Sequence, residues 1–316
     1  MWNHKDGKSE RPEDRKKECN YFIKKERMKI SGYTIIKNAV KNDYPIKEAI
    51  LSILPVVDEM IVSIGDSEDE TEALIRSIQS DKIKIVHSVW DPSIKTGGSI
   101  LAVETNKAFE HISADSDWAF YIQGDEVVHE KYHSAIRAAA EKYKNDKKVE
   151  GLLFDYMHFY GTYDYVGDSR RWYHKEVRII RNDKNISSYK DAQGFRKQGK
   201  KILVKQIDAC IYHYGWVKSP QQMLQKQKNT VQFWSEQQEW NSSIQSQQVF
   251  DFSDFDSLEK FKGTHPAVMQ QRVTEKNWKV DLDVSQKKFS FKNKLLYWFE
   301  KKTGIRLFDF RNYRII

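Results

Sequence analysis

Three short stretches of this chain bring together residue types that can do chemistry: "GDSEDET" at 65–71, "QGDE" at 123–126 and "HEKYH" at 129–133. The last has the His-Glu-x-x-His spacing by which one helix offers two imidazoles to a zinc ion and a glutamate to its water. That use requires both histidines inside one helix, where positions i and i+4 project together. Here Val127 and Val128 end a strand-like run, and the apolar positions of the next helix, Ile136, Ala139, Ala140 and Tyr143, begin later. His129 therefore falls at the helix start. Glu150, the available third ligand, directly precedes the strand-like "GLLF". A zinc metallopeptidase acting through His129, Glu130 and His133 is the lesser reading.

The acidic turns offer different chemistry. Asp125 and Glu126 follow the apolar "WAFYIQG", which sets carboxylates at the mouth of a buried strand. Hard oxygen ligands in such a place suit Mg²⁺ or Mn²⁺, which neutralise a diphosphate. Asp66, after an earlier strand, is placed to accept hydrogen bonds from a base or ribose. Ordinary loop acids would look the same by residue type alone, so the elements that carry them decide.

Those elements alternate. "KISGYTIIKNA" reads as a strand, "YPIKEAILSILPVV" as a helix, "DEMIVSI" as a buried strand and "EALIRSIQS" as a helix. "KIKIVHSVW", "SILAVETNKAFEHI" and "DWAFYIQGDEVV" continue the series. Strand and helix alternating at short spacing predict an α/β layer on a largely parallel sheet, with ligands at the carboxyl ends of its strands. Both acidic turns lie at such ends. After Lys148 the pattern changes to aromatic, β-rich segments, and from Ser219 to Asn293 it becomes Gln-rich and helix-prone.

In order and spacing, Ile30 to Asn38, "IVSIGDSEDET", "ETNKAFEHI" and "WAFYIQGDEVV" resemble the nucleotide-binding segments of the GT-A glycosyltransferases, specifically family 2. "HYGWVKSPQQM" and "GTHPAVMQQRV" resemble segments of its bacterial members. The resemblance spans most of residues 28–275. It implies a Rossmann-like GT-A domain over 28–218, divided into a nucleotide-binding half (28–128) and an acceptor half (129–218). A charged extension (1–27) precedes it and a mostly helical C-terminal appendage (219–316) follows.

The implied activity is transfer of a sugar, hexosyltransferase-like, from a nucleotide-diphosphate donor to a glycan or lipid-linked acceptor hydroxyl, with inversion, in cell-surface glycan assembly. Thr34, Lys37, Asn38, Asp66, Gln123 and Asp125 fall on the donor-binding positions. Asp125 matches the final aspartate of the Asp-x-Asp metal motif, whose first aspartate is here Gln123, a departure that removes a charge from the Mn²⁺ or Mg²⁺ site. His213 in "IYHYGW" is either a further metal ligand or a packed core histidine. Inversion needs a carboxylate to deprotonate the acceptor. Asp191 in the turn-like "DAQG" is the first choice, expected in an exposed loop. Glu176 is the second, on a strand where it is equally readable as facing solvent. Arg171, Lys175 and Arg178 are available for diphosphate or acceptor. A noncatalytic nucleotide- or sugar-binding relative is the alternative that Gln123 keeps open.

Composition bounds the remainder. The net charge of +8 is concentrated at the ends, with ten Lys/Arg against six Asp/Glu over residues 1–29 and nine against four over 281–316. The folded body lacks the basic face of a nucleic-acid binder. Two cysteines, Cys19 and Cys210, make no disulfide framework, and no leader opens the sequence, so a cytoplasmic protein is expected. The most apolar run is broken by Pro55, Asp58 and Glu59 and does not span a bilayer. The basic, aromatic tail "FKNKLLYWFEKKTGIRLFDFRNYRII" has two readings: a peripheral contact with the inner face of the plasma membrane, or cover for the catalytic domain or a homodimer partner.

Overall fold

The computed structural model of the chain describes residues 1–2, 27–233 and 238–316. The charged extension expected over 1–27 lies outside the described residues except at its ends. The first half alternates as read: β1 (Ile30–Ile36), α1 (Ile46–Ile53), β2 (Glu59–Ile64), α2 (Thr71–Arg76), β3 (Ile83–His87), α3 (Ser99–Glu110) and β4 (Trp118–Tyr121). These four strands are parallel in the order β3-β2-β1-β4. The chain builds outward from β1 to β3, then returns to the other side of β1, so the order reverses between β1 and β4. That reversal opens a crevice at the strands' carboxyl ends.

Short β5 (Glu126–Val128) and α4 (His133–Tyr143) lead into the second half of the sheet: β6 (Gly151–Gly161), β7 (Tyr165–Gly167) and β8 (Lys175–Arg181). Here pairing is mixed, because β8 lies antiparallel to both β4 and β6. A separate three-stranded sheet holds β9 (Ile186–Tyr189), β10 (Gly194–Lys197) and β11 (Lys200–Lys201). The 15-residue β12 (Leu203–Val217) then runs parallel to β6 and takes β5 antiparallel. The expected α/β class, with helices on a large sheet, is present.

All seven residues of β1 and all six of β2 are buried, the pattern of strands covered on both faces. One core, with Ile46, Ile50, Ile53, Val62, Trp118 and Phe120, packs α1 and α4 against one face. Another, with Tyr33, Ile61, Phe109, Tyr121 and Phe195, packs α3 and the small sheet against the opposite face.

The C-terminal stretch is helical in part: α5 (Pro220–Thr230), α6 (Gln238–Ser246), α7 (Gln270–Thr274) and α8 (Phe291–Thr303). It also adds β13 (Leu258–Lys260) to β7 and β14 (Arg314–Ile315) to β12. The expected appendage is therefore stitched into the sheet through two strands. Among the described residues no helix is long and apolar enough to cross a membrane.

Candidate active site

A cavity of about 550 Å³ opens at the β1/β4 reversal. Its floor comes from the residues that follow the two strands: Lys37 and Asn38 after β1, and Gln123, Gly124 and Asp125 after β4. Asn38 adopts a left-handed backbone (φ 52°), which asparagine tolerates. In that pose its N–H donates to Ser67 Oγ and its Oδ1 accepts from the Glu68 N–H, so the first acidic turn is tied to the end of β1. Lys37 Nζ meets Asp66 Oδ1 at 2.7 Å, and the Trp90 N–H donates to the same oxygen at 3.3 Å. Asp66, expected on the donor site, does not itself line the cavity but is held against two residues that do, Lys37 and Trp90; Trp90 with Leu101, Ile35 and Phe233 forms an apolar wall. Thr34, expected to line the pocket, is fully buried in β1 and absent from the cavity wall.

The second acidic turn is clamped from below. Arg178, fully buried in β8, donates from Nε to Glu126 Oε2 at 2.8 Å and from Nη2 to Oε1 at 2.6 Å. Tyr156 OH donates to Glu126 as well. A buried ion pair is tolerated when its remaining hydrogen bonds are made, and here they are. Arg178 also reaches the Gln193 carbonyl at 3.3 Å, and Gln123 Nε2 donates to the Ala192 carbonyl at 3.4 Å. Both bonds tether the loop that carries Asp191. Aspartate at 123 would have no N–H for that bond, which gives the departure from Asp-x-Asp a structural task.

Asp125 and His213, 88 positions apart in sequence, face each other with Oδ1 and Nε2 3.7 Å apart. The pairing of β12 with β6 shifts register between His213 and Trp216, an irregularity that re-aims the side chains there. Gly215 lies at this shift. A Cβ on it would stand 2.5 Å from His213 Nε2 and 2.6 Å from Asp125 Oδ2, so only glycine leaves room between the two groups.

Hydrogen bonding orients the imidazole. His158 Nε2 faces the Tyr173 carbonyl at 3.0 Å and must donate to it. Burial pushes the His158 pKa well below its ordinary value, so its Nδ1 carries a lone pair. His213 Nδ1, 3.2 Å away, is then the donor, which puts the second ring nitrogen, Nε2, on the side that faces Asp125 and makes it the atom available to a metal. One carboxylate oxygen, one imidazole lone pair and the gap that glycine leaves between them fit a divalent cation that takes its other ligands from substrate phosphates and water. Among the described residues no group of three His, Cys, Asp or Glu side chains forms a closed cage.

A buried cation shares this corner. Lys226, from α5, places Nζ 3.2 Å from Asp125 Oδ2 and 3.0 Å from the Gly215 carbonyl, 4.7 Å from the centre of the Tyr44 ring. Burial pushes the Asp125 pKa up, but the ammonium of Lys226 beside it more than offsets this and holds the carboxyl well below the usual range. The sequence hid this lysine in a Gln-rich helix. Its position is set by the start of α5, where Ser219 and Gln222 form a reciprocal cap and Pro220 occupies the first turn.

The two carboxylates weighed as base separate clearly. Asp191 lines the cavity and is partly buried rather than exposed, and burial raises its pKa. Glu176 does not line it. It is 3% exposed behind the wall, where burial pushes its carboxyl up to about 8, so it is protonated at neutral pH. Alternation along β8 had left open a solvent-facing Glu176, but both faces of that strand are covered. The three basic residues assigned to diphosphate or acceptor are engaged elsewhere: Arg171 with the Asp254 carbonyl, Lys175 with Asp155, Arg178 with Glu126.

The histidines of "HEKYH" do not converge. His129 caps a 3-10 turn and its Nε2 meets Thr264 Oγ1 at 2.9 Å, whereas His133 opens α4 with Nε2 2.8 Å from the Ser52 carbonyl. Glu150 is taken by the Leu203 N–H and Lys197. These partners remove the zinc-peptidase reading.

No protein-family model matches the chain, and no curated protein matches it. Among solved structures it is similar to residues 1–349 of S. aureus TarS in complex with UDP, at 13% identity and TM-score 0.37, covering 69% of each chain. Against a longer TarS chain from the same organism it spans 42% of that length. It is also similar to glucosyl-3-phosphoglycerate synthase from Mycobacterium tuberculosis with Mn²⁺, UDP and phosphoglyceric acid, at 18% identity and TM-score 0.29, over 42% of this chain and 43% of that one. At these values the likeness carries no argument about activity, and what the site can do rests on its own residues.

Proposed function

We propose that the chain is a GT-A glycosyltransferase of the family 2 type, moving a sugar from a nucleotide-diphosphate donor to an acceptor hydroxyl with inversion. The observation that carries this reading is the convergence of Asp125, His213 and Asp191 on one cavity at the β1/β4 reversal. The apolar wall of Trp90, Leu101 and Phe233, with Lys37 on the lining and Asp66 held just behind it by Lys37 and Trp90, suits a base and ribose. The corner at Asp125 suits the diphosphate.

Asp125 and His213 would hold a divalent cation there, which would supply positive charge against the leaving diphosphate. Asp191 takes the proton of the acceptor hydroxyl as its oxygen bonds to the anomeric carbon. The bond from that carbon to the diphosphate oxygen breaks, and the electron pair leaves with the nucleoside diphosphate. Burial makes Asp191 a stronger base than an ordinary carboxylate while leaving it on the cavity wall. Release of nucleoside diphosphate from one member of a nucleotide-sugar panel tests the reading. Nucleotide binding with no release from any member would instead favour the noncatalytic relative.

The acceptor side is proposed to work at an anionic membrane surface. On α8, Phe291 (87% exposed), Leu295 and Trp298 lie at helical spacing on one open face, and Phe308 and Phe310 are exposed beyond it. Exposed Lys292, Lys294 and Lys302 accompany them, the composition of an interfacial helix. The helix is fixed to the body by Lys301 and Tyr297 on Asp168. The protein is expected to sediment with phosphatidylglycerol vesicles but not with phosphatidylcholine ones, and Phe291→Ser/Trp298→Ser to abolish this. A doubled mass in solution, lost in the same variant, would instead assign the face to a second copy.

A further inference from the structure

Among the described residues lining the cavity, Lys226 is a charged one to which the transfer reading gives no task. It stands against Asp125 and the Gly215 carbonyl, and its stem lies beside Tyr44. Behind it, Lys218 and Arg272 are matched by Asp43 and Glu48, with Arg272 3.0 Å from Glu48 and 2.8 Å from Asp43. The pair presented to the cavity is therefore Asp125 and Lys226. It is close to neutral.

This neutrality has consequences for loading. A divalent cation approaching this corner alone meets a carboxylate whose charge is already compensated, and an ammonium that repels it. A diphosphate approaching alone meets the carboxylate, which repels it. When both enter, the ammonium can leave Asp125 for a phosphate oxygen, a partner lysine favours as a compact point charge on a flexible stem. Asp125 is then released to the cation.

We propose that Lys226 exchanges partners on loading, from Asp125 to the donor diphosphate, so that divalent cation and nucleotide bind as a strongly coupled pair and neither binds well alone. This rests on the donor-site reading above. Coupling between two ligands is reciprocal, so each raises the affinity of the other by the same factor.

The test is equilibrium Mn²⁺ binding, read from the electron paramagnetic resonance of free Mn²⁺, with and without UDP, GDP, CDP or dTDP. It is run on the wild type, Lys226→Met and Lys226→Arg. The wild type is expected to bind Mn²⁺ weakly alone and about tenfold or more tightly with the nucleotide that fits. Lys226→Met should shift the two ligands in opposite directions. Mn²⁺ alone would bind about tenfold tighter, for loss of a competing like charge, and the nucleotide about tenfold weaker, for loss of a charge-assisted hydrogen bond. Lys226→Arg, which keeps the charge, should stay near the wild type in metal-only affinity, and circular dichroism checks that each variant is folded.

Unchanged or weaker Mn²⁺ binding by folded Lys226→Met in the absence of nucleotide would overturn the exchange, as would wild-type coupling retained in that variant. A metal-only affinity of Lys226→Arg raised to that of Lys226→Met would overturn it too, and decides the matter if Lys226→Met does not fold. If none of the four nucleotides binds the wild type with or without Mn²⁺, the donor-site reading falls and the exchange falls with it. Nucleotide binding without the opposite-sign pattern removes the exchange alone.

Discussion

Asp191→Asn is expected to lower the rate of sugar transfer by about 10²–10⁴-fold, the usual contribution of a positioned general base, while leaving nucleotide binding near the wild-type level. The reason lies in position. Asp191 is on the cavity wall, held in a loop whose backbone is tied to Gln123 and Arg178, and the substitution changes neither tether. Glu176→Gln is the informative companion. Glu176 is buried behind the wall and protonated at neutral pH, so its amide analogue should retain most of the activity. Steady-state rates on both variants, with nucleotide binding measured alongside, separate the two carboxylates. A dead Glu176→Gln beside an active Asp191→Asn would reverse the assignment.

Arg178→Ala should have the largest effect on stability, about 3–5 kcal/mol, because it strands a buried carboxylate. Glu126 is fully buried and accepts from Arg178 at both oxygens, so removing the guanidinium leaves its charge without a countercharge. The same change releases the Gln193 carbonyl, and with it one anchor of the Asp191 loop. Most of this cost comes from the unpaired ion, so Arg178→Met combined with Glu126→Gln should be markedly more stable than Arg178→Ala. Urea unfolding of the three proteins measures the difference. A loss below about 1 kcal/mol for Arg178→Ala, the range of an exposed pair, would show that Glu126 finds another partner.

How much of this was legible in the sequence depended on range. The run of strands and helices from β1 to β4 was readable because each element's pattern is local, and it placed Asp66 and Asp125 correctly at strand ends. The cavity's other half comes from residues far along the chain. Lys226 reaches Asp125 across 101 positions, and His213 gains its orientation from His158, 55 positions earlier. No spacing within a segment encodes such contacts. Glu176 and Thr34 were misplaced for a related reason: alternation along a strand tells one face from the other but not whether both are covered, and here both are. Gly215 was visible in "HYGW", but its role depends on a register shift between two strands whose partners there, His213 and His158, are 55 positions apart. The local motif "HEKYH" shows the opposite case, because its lack of a single helix was already legible from the strand-like Val127 and Val128 before it, and the structure places His129 outside the helix that His133 opens.

Thermal unfolding with UDP, GDP, CDP and dTDP, each with and without Mn²⁺, on the wild type and Asp125→Asn, tests the central claim most directly. A ligand that binds only the native state raises the melting temperature with its saturation. One nucleotide is expected to stabilise the wild type strongly in the presence of Mn²⁺, with the metal-dependent part of the shift lost in Asp125→Asn. No shift with any of the four, with or without Mn²⁺, would contradict the assignment of this cavity to a nucleotide-sugar donor.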